Sequence, residues 1–335
     1  MTADAWTEPA LPGIILRRLR GPEDYAAIVD VINASEAADL IEATHSAEDL
    51  ALELAHTPGL DPQADLLLAE VDAGRLVGYA NFWTTTASSG ERLYRHRGFV
   101  HPTWRRRGLG QALWRWAEAR LRVIARGHPP DGAPRFLQVV AEDTAPGKRA
   151  LAEAHGYRPV RYFFFMRRPT LDDLPDAPLP AGLEFRPAQP EQLRAIWDVK
   201  EAAFAEHWGH TAKTEADYRL WESQPRRDLG LWVAAWETAA GRIVGIALND
   251  IHPGDNARYG FRRGWVHSLG VAPAWRGRGL GRALLVESLR RLREAGMDEA
   301  VLGVDADNPS GALRLYAHVG FEVLNQDAVY RKPLE

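Results

Sequence analysis

The sequence predicts a mixed α/β protein in which one domain plan is used twice. Three observations carry that expectation. First, Val100-His101-Pro102-Thr103-Trp104-Arg105-Arg106-Arg107-Gly108-Leu109-Gly110-Gln111-Ala112-Leu113 reads almost like Val271-Ala272-Pro273-Ala274-Trp275-Arg276-Gly277-Arg278-Gly279-Leu280-Gly281-Arg282-Ala283-Leu284. Second, a strand–turn–strand pattern precedes each copy. Third, strand and helix periods follow in the same order behind each. A chain of 335 residues has room for roughly two to three domains. Two long repeats fit it, and a solenoid of short repeats does not.

Each repeat opens on an entry strand and a helix start. Leu16-Arg17-Arg18-Leu19 with Pro22-Glu23-Asp24-Tyr25 corresponds to Glu184-Phe185-Arg186-Pro187 with Pro190-Glu191-Gln192-Leu193. A β-hairpin is expected next. Leu66–Val71, Ala73-Gly74-Arg75 and Leu76–Ala80 match Leu231–Trp236, Ala240-Gly241-Arg242 and Ile243–Ala247. The glycine turn follows. A helix opened by glycines leaves backbone N–H groups unpaired and points the positive end of its dipole outward, which suits phosphate oxygens. Behind the turn the apolar period becomes helical, with Leu285, Leu289 and Leu292 in one copy and Leu113, Trp116, Ala117, Leu121 and Ile124 in the other. A strand comes next, Phe136–Val140 or Ala300–Val304, then a helix ending at Gly156 or Gly320. Residues 169–180, rich in Pro and Asp, read as a linker between a first domain at 14–168 and a second at 181–335. The stretch 127–134 reads as a loop inserted in the first domain.

Composition narrows the function. The net charge of −4 gives no bulk attraction to nucleic acid. The chain has no cysteine, which excludes disulfides, thiolate metal sites and a cysteine nucleophile. The N-terminus lacks the features of a signal peptide, and no apolar run approaches the roughly 20 residues that span a bilayer. A cytoplasmic protein without a membrane partner is the expectation; composition does not address oligomeric state. Gly277, Gly279 and Gly281 are wrongly spaced for a dinucleotide fingerprint, and Arg106 replaces Gly277 in the first copy. His207 and His210 have the helical spacing of a metal pair, but no third ligand is evident, so no metal site is expected. Trp208, Trp221, Trp232 and Trp236 read as core or pocket wall rather than as a nucleic-acid platform.

Arg276-x-x-Gly279-x-Gly281 after a strand, followed by Asn308-Pro309-x-x-Ala312-x-x-Leu315-Tyr316-x-x-x-Gly320-Phe321, resembles the GNAT superfamily of acyl-CoA N-acyltransferases. The resemblance covers 183–335 strongly and 14–168 more weakly. With Phe204-Ala205-Glu206-His207-Trp208-Gly209 ahead of the hairpin, the tandem arrangement is similar to the mycothiol synthase family. The resemblance implies two tandem domains, each a mixed, mostly antiparallel sheet with a splayed central strand pair flanked by helices. It implies an N-acetyltransferase that uses acetyl-CoA and a small-molecule or peptide amine, which attacks the thioester directly. The coenzyme A pyrophosphate would lie on Gly277 through Arg282, with charge from Arg276, Arg278 and Arg282. Backbone groups at Leu269, Gly270 and Val271 would meet the pantetheine and thioester. Tyr316 matches the family tyrosine that protonates the departing thiolate; a tyrosine packed on the sheet is the other reading. Asn308 matches a position that contacts the cofactor or caps the helix with Pro309 at its first turn.

Where the family often has a glutamate on the strand before the turn, this chain has Trp265. His267, further along the same strand face, is the candidate base; a histidine bonded for structure, with water as base, is the other reading. Phe204, His207, Trp208 and Trp221 border the acceptor side in the family. The first copy keeps the turn, with Val100, Arg105, Arg106, Arg107, Gly108, Leu109, Gly110 and Gln111, so it holds coenzyme A or only the fold. It has Ala152 where Tyr316 stands, Thr144 at Asn308 and His96 at His267, so the second domain is expected to be the catalytic one. A coenzyme A sensor or scaffold in which neither copy turns over is the non-enzyme alternative. The acceptor stays open among mycothiol-type thiol precursors, antibiotics, polyamines, amino acids and protein N-termini.

Overall fold

Leu66–Asn81 and Val233–Asn249 are each two nearly continuous apolar runs separated by a polar turn, and each folds into a hairpin whose strands are buried on both faces. The structure, a computed structural model, describes residues 6–57, 60–223, 228–308 and 310–334. Contacts divide the chain into two compact units. One comprises Met1–Arg161 with Asp327–Glu335 and the other Tyr162–Gln326.

In chain order the first repeat contributes β1 (Ile15–Arg17), α1 (Tyr25–Ala38), α2 (Ala47–His56), α3 (Pro62–Asp65), β2 (Leu66–Val71), β3 (Arg75–Thr86), β4 (Arg92–Val100), α4 (Leu109–Gly127), β5 (Arg135–Glu142), α5 (Pro146–Ala154) and β6 (Arg158–Arg168). The second contributes β7 (Leu183–Pro187), α6 (Leu193–Phe204), α7 (Glu215–Glu222), β8 (Val233–Glu237), β9 (Arg242–Ile251), α8 (Pro253–Tyr259), β10 (Arg263–Val271), α9 (Leu280–Glu294), β11 (Glu299–Asp305), α10 (Ala312–His318) and β12 (Glu322–Pro333).

In the first unit β1, β2, β3 and β4 are antiparallel neighbours, and β4 meets β5 in parallel. The second unit repeats this with β7, β8, β9 and β10 antiparallel and β10 parallel to β11. These are the expected mixed, mostly antiparallel sheets. Helices α4 and α9 lie across their hairpins because the strand beneath has glycine where they cross. A Cβ on Gly78 would come within 3.0 Å of Leu109, and one on Gly245 within 2.8 Å of Leu284. The helical stripe read from the sequence is the buried one: Leu285, Leu289 and Leu292 are fully enclosed, as are Ala117 and Leu121.

The compact units and the sequence repeats divide the chain differently. The last strand of each unit comes from the other repeat. Phe163–Arg168 of β6 pairs with β11, register Asp305↔Phe163 to Ala300↔Arg168. Asp327–Pro333 of β12 pairs with β5, register Asp327↔Glu142 to Pro333↔Phe136. Side chains fix the exchange: Arg331 Nε donates to Gln138 Oε1 at 2.9 Å, and Arg168 Nη1 donates to the Val319 carbonyl of the second repeat. The stretch 169–180 is irregular, as its composition predicts, yet it is no free linker. Leu171 and Ala177 are buried in the second unit's core, and Arg293 Nη1 donates to the Leu171 carbonyl at 3.3 Å.

Candidate active site

Both units build the same opening. β4 keeps antiparallel register with β3 along its length, but its parallel pairing with β5 spans only Arg92–Arg95. β10 likewise pairs with β11 only over Arg263–Trp265, while its ladder with β9 runs on to Val271. The strands part beyond those points, so Leu269, Gly270 and Val271 face the gap on one side. In the first unit the gap is a cavity of about 620 Å³, whose wall includes Val100, Gly108, Gly110, Gln138 and Leu151. That size suits a ligand of coenzyme dimensions.

The glycine turns close one end of each gap. Gly108 and Gly279 hold φ of 84° and 87° and start α4 and α9 with no side-chain cap. Leu109 and Leu280, the first helical residues, anchor the turns in the cores. Gly110, Gln111, Gly281 and Arg282 follow in the first turns, Arg282 exposed. An uncapped helix start with unpaired N–H groups is the physical requirement for holding phosphate.

The arginines before these glycines do less ligand-directed work than the sequence suggests. Arg105 Nε donates to the Val100 carbonyl at 3.3 Å, and its other nitrogens pair with Asp39 at 2.6 Å and the Ser35 carbonyl at 2.9 Å. Arg276 repeats the brace with the Val271 carbonyl at 3.4 Å and Glu206 at 3.3 Å. Arg107 lies over Trp104 at 4.5 Å and Arg278 over Trp275 at 5.1 Å. These groups tie the turn to the preceding strand and helix.

Tyr316 sits on α10, enclosed among apolar neighbours with Phe321 at 6.0 Å between ring centres. Burial pushes its phenol up to about 12, which keeps it protonated and able to donate. His267 stands on a β-bulge: the β9–β10 register shifts between Val266 and Ser268. Its ring stacks on Trp265 at 5.1 Å, and its Nε2 lies 3.4 Å from His252 Nε2. The residue is exposed, but packing strips water from the ring and His252 adds charge beside it, so its pKa falls below the usual imidazole value. His252 is held by Asp250, 3.6 Å from its Nε2, and by Asp255, 3.2 Å from its Nδ1; these partners raise it to about 9. Sequence reasoning missed Asp250 and His252. Their only signal was the short spacing at the end of a strand, and the bulge that brings His267 to them has no sequence mark.

Among the described residues the first unit lacks this constellation. β4 has no bulge, and its register with β3 runs unbroken from Arg92 to Val100. His96 is therefore buried: its Nε2 meets the Tyr157 hydroxyl at 2.9 Å, and Trp114 abuts it edge-on at 4.7 Å. Burial drives its pKa down to about 3, so the ring is locked neutral. Ala152 is fully enclosed and offers no proton.

The expected acceptor residues do not form one wall. Phe204 and His207 are in ring contact at 4.5 Å, and Trp208 lies 6.4 Å from Phe163. Trp221 instead packs against Trp197 at 5.1 Å and Trp232 at 5.7 Å, which gives it a core role. Asn308 is not the cap of α10; that position is Gly311, with φ 77°. The Asn308 side chain accepts from the Ser310 amide at 2.9 Å, which closes a tight turn. Pro309 lies outside the described residues.

Comparison with known proteins agrees with this geometry. Residues 193–321 match the Acetyltransferase (GNAT) family and residues 62–159 the Acetyltransferase (GNAT) domain. The mycothiol acetyltransferase of Thermomonospora curvata is 35% identical over 272 residues, covering 79% of this chain and 82% of that protein. That of Geodermatophilus obscurus is 32% identical, covering 93% and 95%. Among solved structures, a GCN5-related N-acetyltransferase from Sphaerobacter thermophilus superposes with a TM-score of 0.73 at 32% identity, covering 97% of this chain and 98% of its own. A tandem GNAT protein of the clavulanic acid pathway shares the fold at TM-score 0.66 and 20% identity, covering 96% and 99%.

Proposed function

This chain belongs to the GNAT acetyltransferase family and is an acetyl-CoA-dependent N-acetyltransferase, and from that premise we propose that its second unit alone performs the transfer, with the amine precursor of mycothiol as acceptor. The contrast between the two copies of one site carries the reading: Tyr316 and His267 in the second unit are replaced by enclosed Ala152 and core-locked His96 in the first. The relatives' name supplies the acceptor.

The uncapped start of α9, from Gly277 to Arg282, receives the pyrophosphate, and the free edge of β10 at Leu269–Val271 lines the pantetheine. His267 takes the proton from the acceptor ammonium, so a neutral amine attacks the thioester carbonyl. The carbon–sulfur bond breaks as the tetrahedral intermediate collapses, Tyr316 delivers a proton to the departing thiolate, and the surplus proton of the acylated nitrogen, passed through water, restores the phenol. Phe204, His207 and Trp208 flank the acceptor. The turn at Arg105–Gln111 binds a second coenzyme A without turnover. Among the described residues no helix is long and apolar enough to cross a membrane, and we place the enzyme in the cytoplasm.

Thiol release from acetyl-CoA, measured with the mycothiol amine precursor and with a panel of polyamines, amino acids and peptide N-termini, tests the proposal. Higher kcat/KM for the precursor supports the acceptor. Equal rates across the panel would remove it.

A further inference from the structure

Asp250, His252 and His267 come from the end of β9, the start of α8 and the bulge of β10, and their ligand atoms all lie within 4.8 Å of one another. We propose that these three side chains bind one divalent transition-metal ion, of the zinc, cobalt or nickel class, with an open coordination position.

The geometry is close to that of a three-ligand site. Zinc–nitrogen and zinc–oxygen bonds of about 2.0–2.2 Å place neighbouring tetrahedral ligands about 3.3–3.6 Å apart. His252 Nε2 is 3.4 Å from His267 Nε2 and 3.6 Å from Asp250 Oδ2, so two of the three edges already have that length. Two imidazoles and a carboxylate form a donor set of borderline softness that favours such ions over calcium or magnesium.

Two further features build the site. Asp255, nearly fully buried, faces His252 Nδ1 at 3.2 Å. This is the carboxylate partner that orients a ligating imidazole and turns its Nε2 lone pair toward a metal. Trp265 stacks on both rings, on His252 at 5.4 Å and on His267 at 5.1 Å, and fixes their planes. The bulge is what makes the cluster, because an unbroken ladder buries the corresponding His96 in the first unit. Exposed His267 leaves the fourth position to water or to an incoming ligand atom.

Metal occupancy and acetyl transfer then exclude each other, since both use His267 Nε2. This second step rests on the assignment of His267 as base; the binding step does not.

The test is Zn²⁺ binding to the full chain, read by competition with a chromophoric chelator and by elemental analysis after dialysis. One zinc per chain is expected. His252→Ala and His267→Ala should each weaken it tenfold or more, and Asp255→Asn roughly tenfold through the orientation of His252. His207→Ala with His210→Ala, at the other histidine pair of the second repeat, should leave it intact. Circular dichroism and the thermal midpoint check each fold; should His252→Ala unfold, the exposed His267→Gln decides. No stoichiometric zinc, or zinc retained in both His252 and His267 variants, overturns the site. Zinc that binds at these residues while acetyl transfer proceeds unchanged keeps the site and removes the base assignment.

Discussion

Arg106 and Gly277 occupy the same position in the two glycine turns and share a left-handed backbone, with φ of 64° and 72°. Only Gly277 adopts it freely. An L-residue held there costs roughly 1–2 kcal/mol, partly offset because glycine loses more entropy on folding. Arg106→Gly should therefore raise stability by up to about 1 kcal/mol. Gly277→Ala should lower it by about 1 kcal/mol, although a Cβ there meets open space. Urea unfolding of both variants checks this, and no change in either would remove the strain argument.

Tyr316→Phe keeps the buried ring and removes the proton donor. The kcat should fall roughly a hundredfold or more, with acetyl-CoA affinity unchanged. Because burial holds the phenol up at about 12, Tyr316 should set no alkaline limb of kcat below about pH 11 in the wild type. Steady-state kinetics with calorimetry of acetyl-CoA binding decides; full activity in the variant returns Tyr316 to a packing role.

The two turns can be blocked separately. Gly108→Ala with Gly110→Val, and Gly279→Ala with Gly281→Val, place side chains where each helix start would meet phosphate. Turnover should survive the first pair and vanish with the second. The opposite result, or half activity in each, would mean that the wrong copy has been made catalytic.

His96 predicts an acid-sensitive fold. Its folded pKa is pushed from 6.5 to about 3 by burial, with Glu118, His155, Lys148 and Arg122 the nearby charges acting on it. Well above pH 6.5 both states carry a neutral ring and the group contributes nothing. Below that, the unfolded chain binds a proton that the folded chain refuses, so stability falls as pH drops toward 3, by on the order of a few kcal/mol. Glu118 acts in the same direction at lower pH. Burial would raise its carboxyl, but His155 and Arg122 outweigh that and hold it below the usual range. Denaturant unfolding at pH 7 and pH 4.5 should show the loss, and His96→Gln should reduce it. An equal acid loss in the variant would acquit His96.

The doubled plan was legible because it rests on local signals. The strand–turn–strand pattern of the hairpins, the glycine turns and the helical stripe from Leu285 to Leu292 each need only a short window of sequence. Gly279 and Gly108 declare their left-handed turns by being glycine. What escaped depends on register and long-range pairing. Nothing local tells β6 and β12 which repeat to join, since their pairing is decided by backbone hydrogen bonds to strands of the other repeat. Nothing in Trp265-Val266-His267-Ser268 announces a bulge, yet the bulge decides whether a histidine is buried like His96 or meets His252. Trp221 was misplaced because an aromatic on a short helix reads alike as pocket wall or core, until Trp197 and Trp232 are seen beside it. Arg276 and Arg105 read as phosphate ligands, because their carboxylate and carbonyl partners are remote in sequence or lack a motif.

The crossing of the last strands makes the halves unsuitable for life apart. A fragment ending near Pro180 would lack Asp327–Pro333, and β5 would present a row of open amide and carbonyl groups. A fragment starting near Ala181 would lack Phe163–Arg168 and expose β11 in the same way. Bare edges of this kind recruit whatever strand is nearest, often one from another copy. A chain whose two repeats have traded their last strands cannot shed either copy by a simple deletion. Under the proposal that only the second unit turns over, the first unit gains no release from its upkeep, because the second borrows its final strand from that repeat.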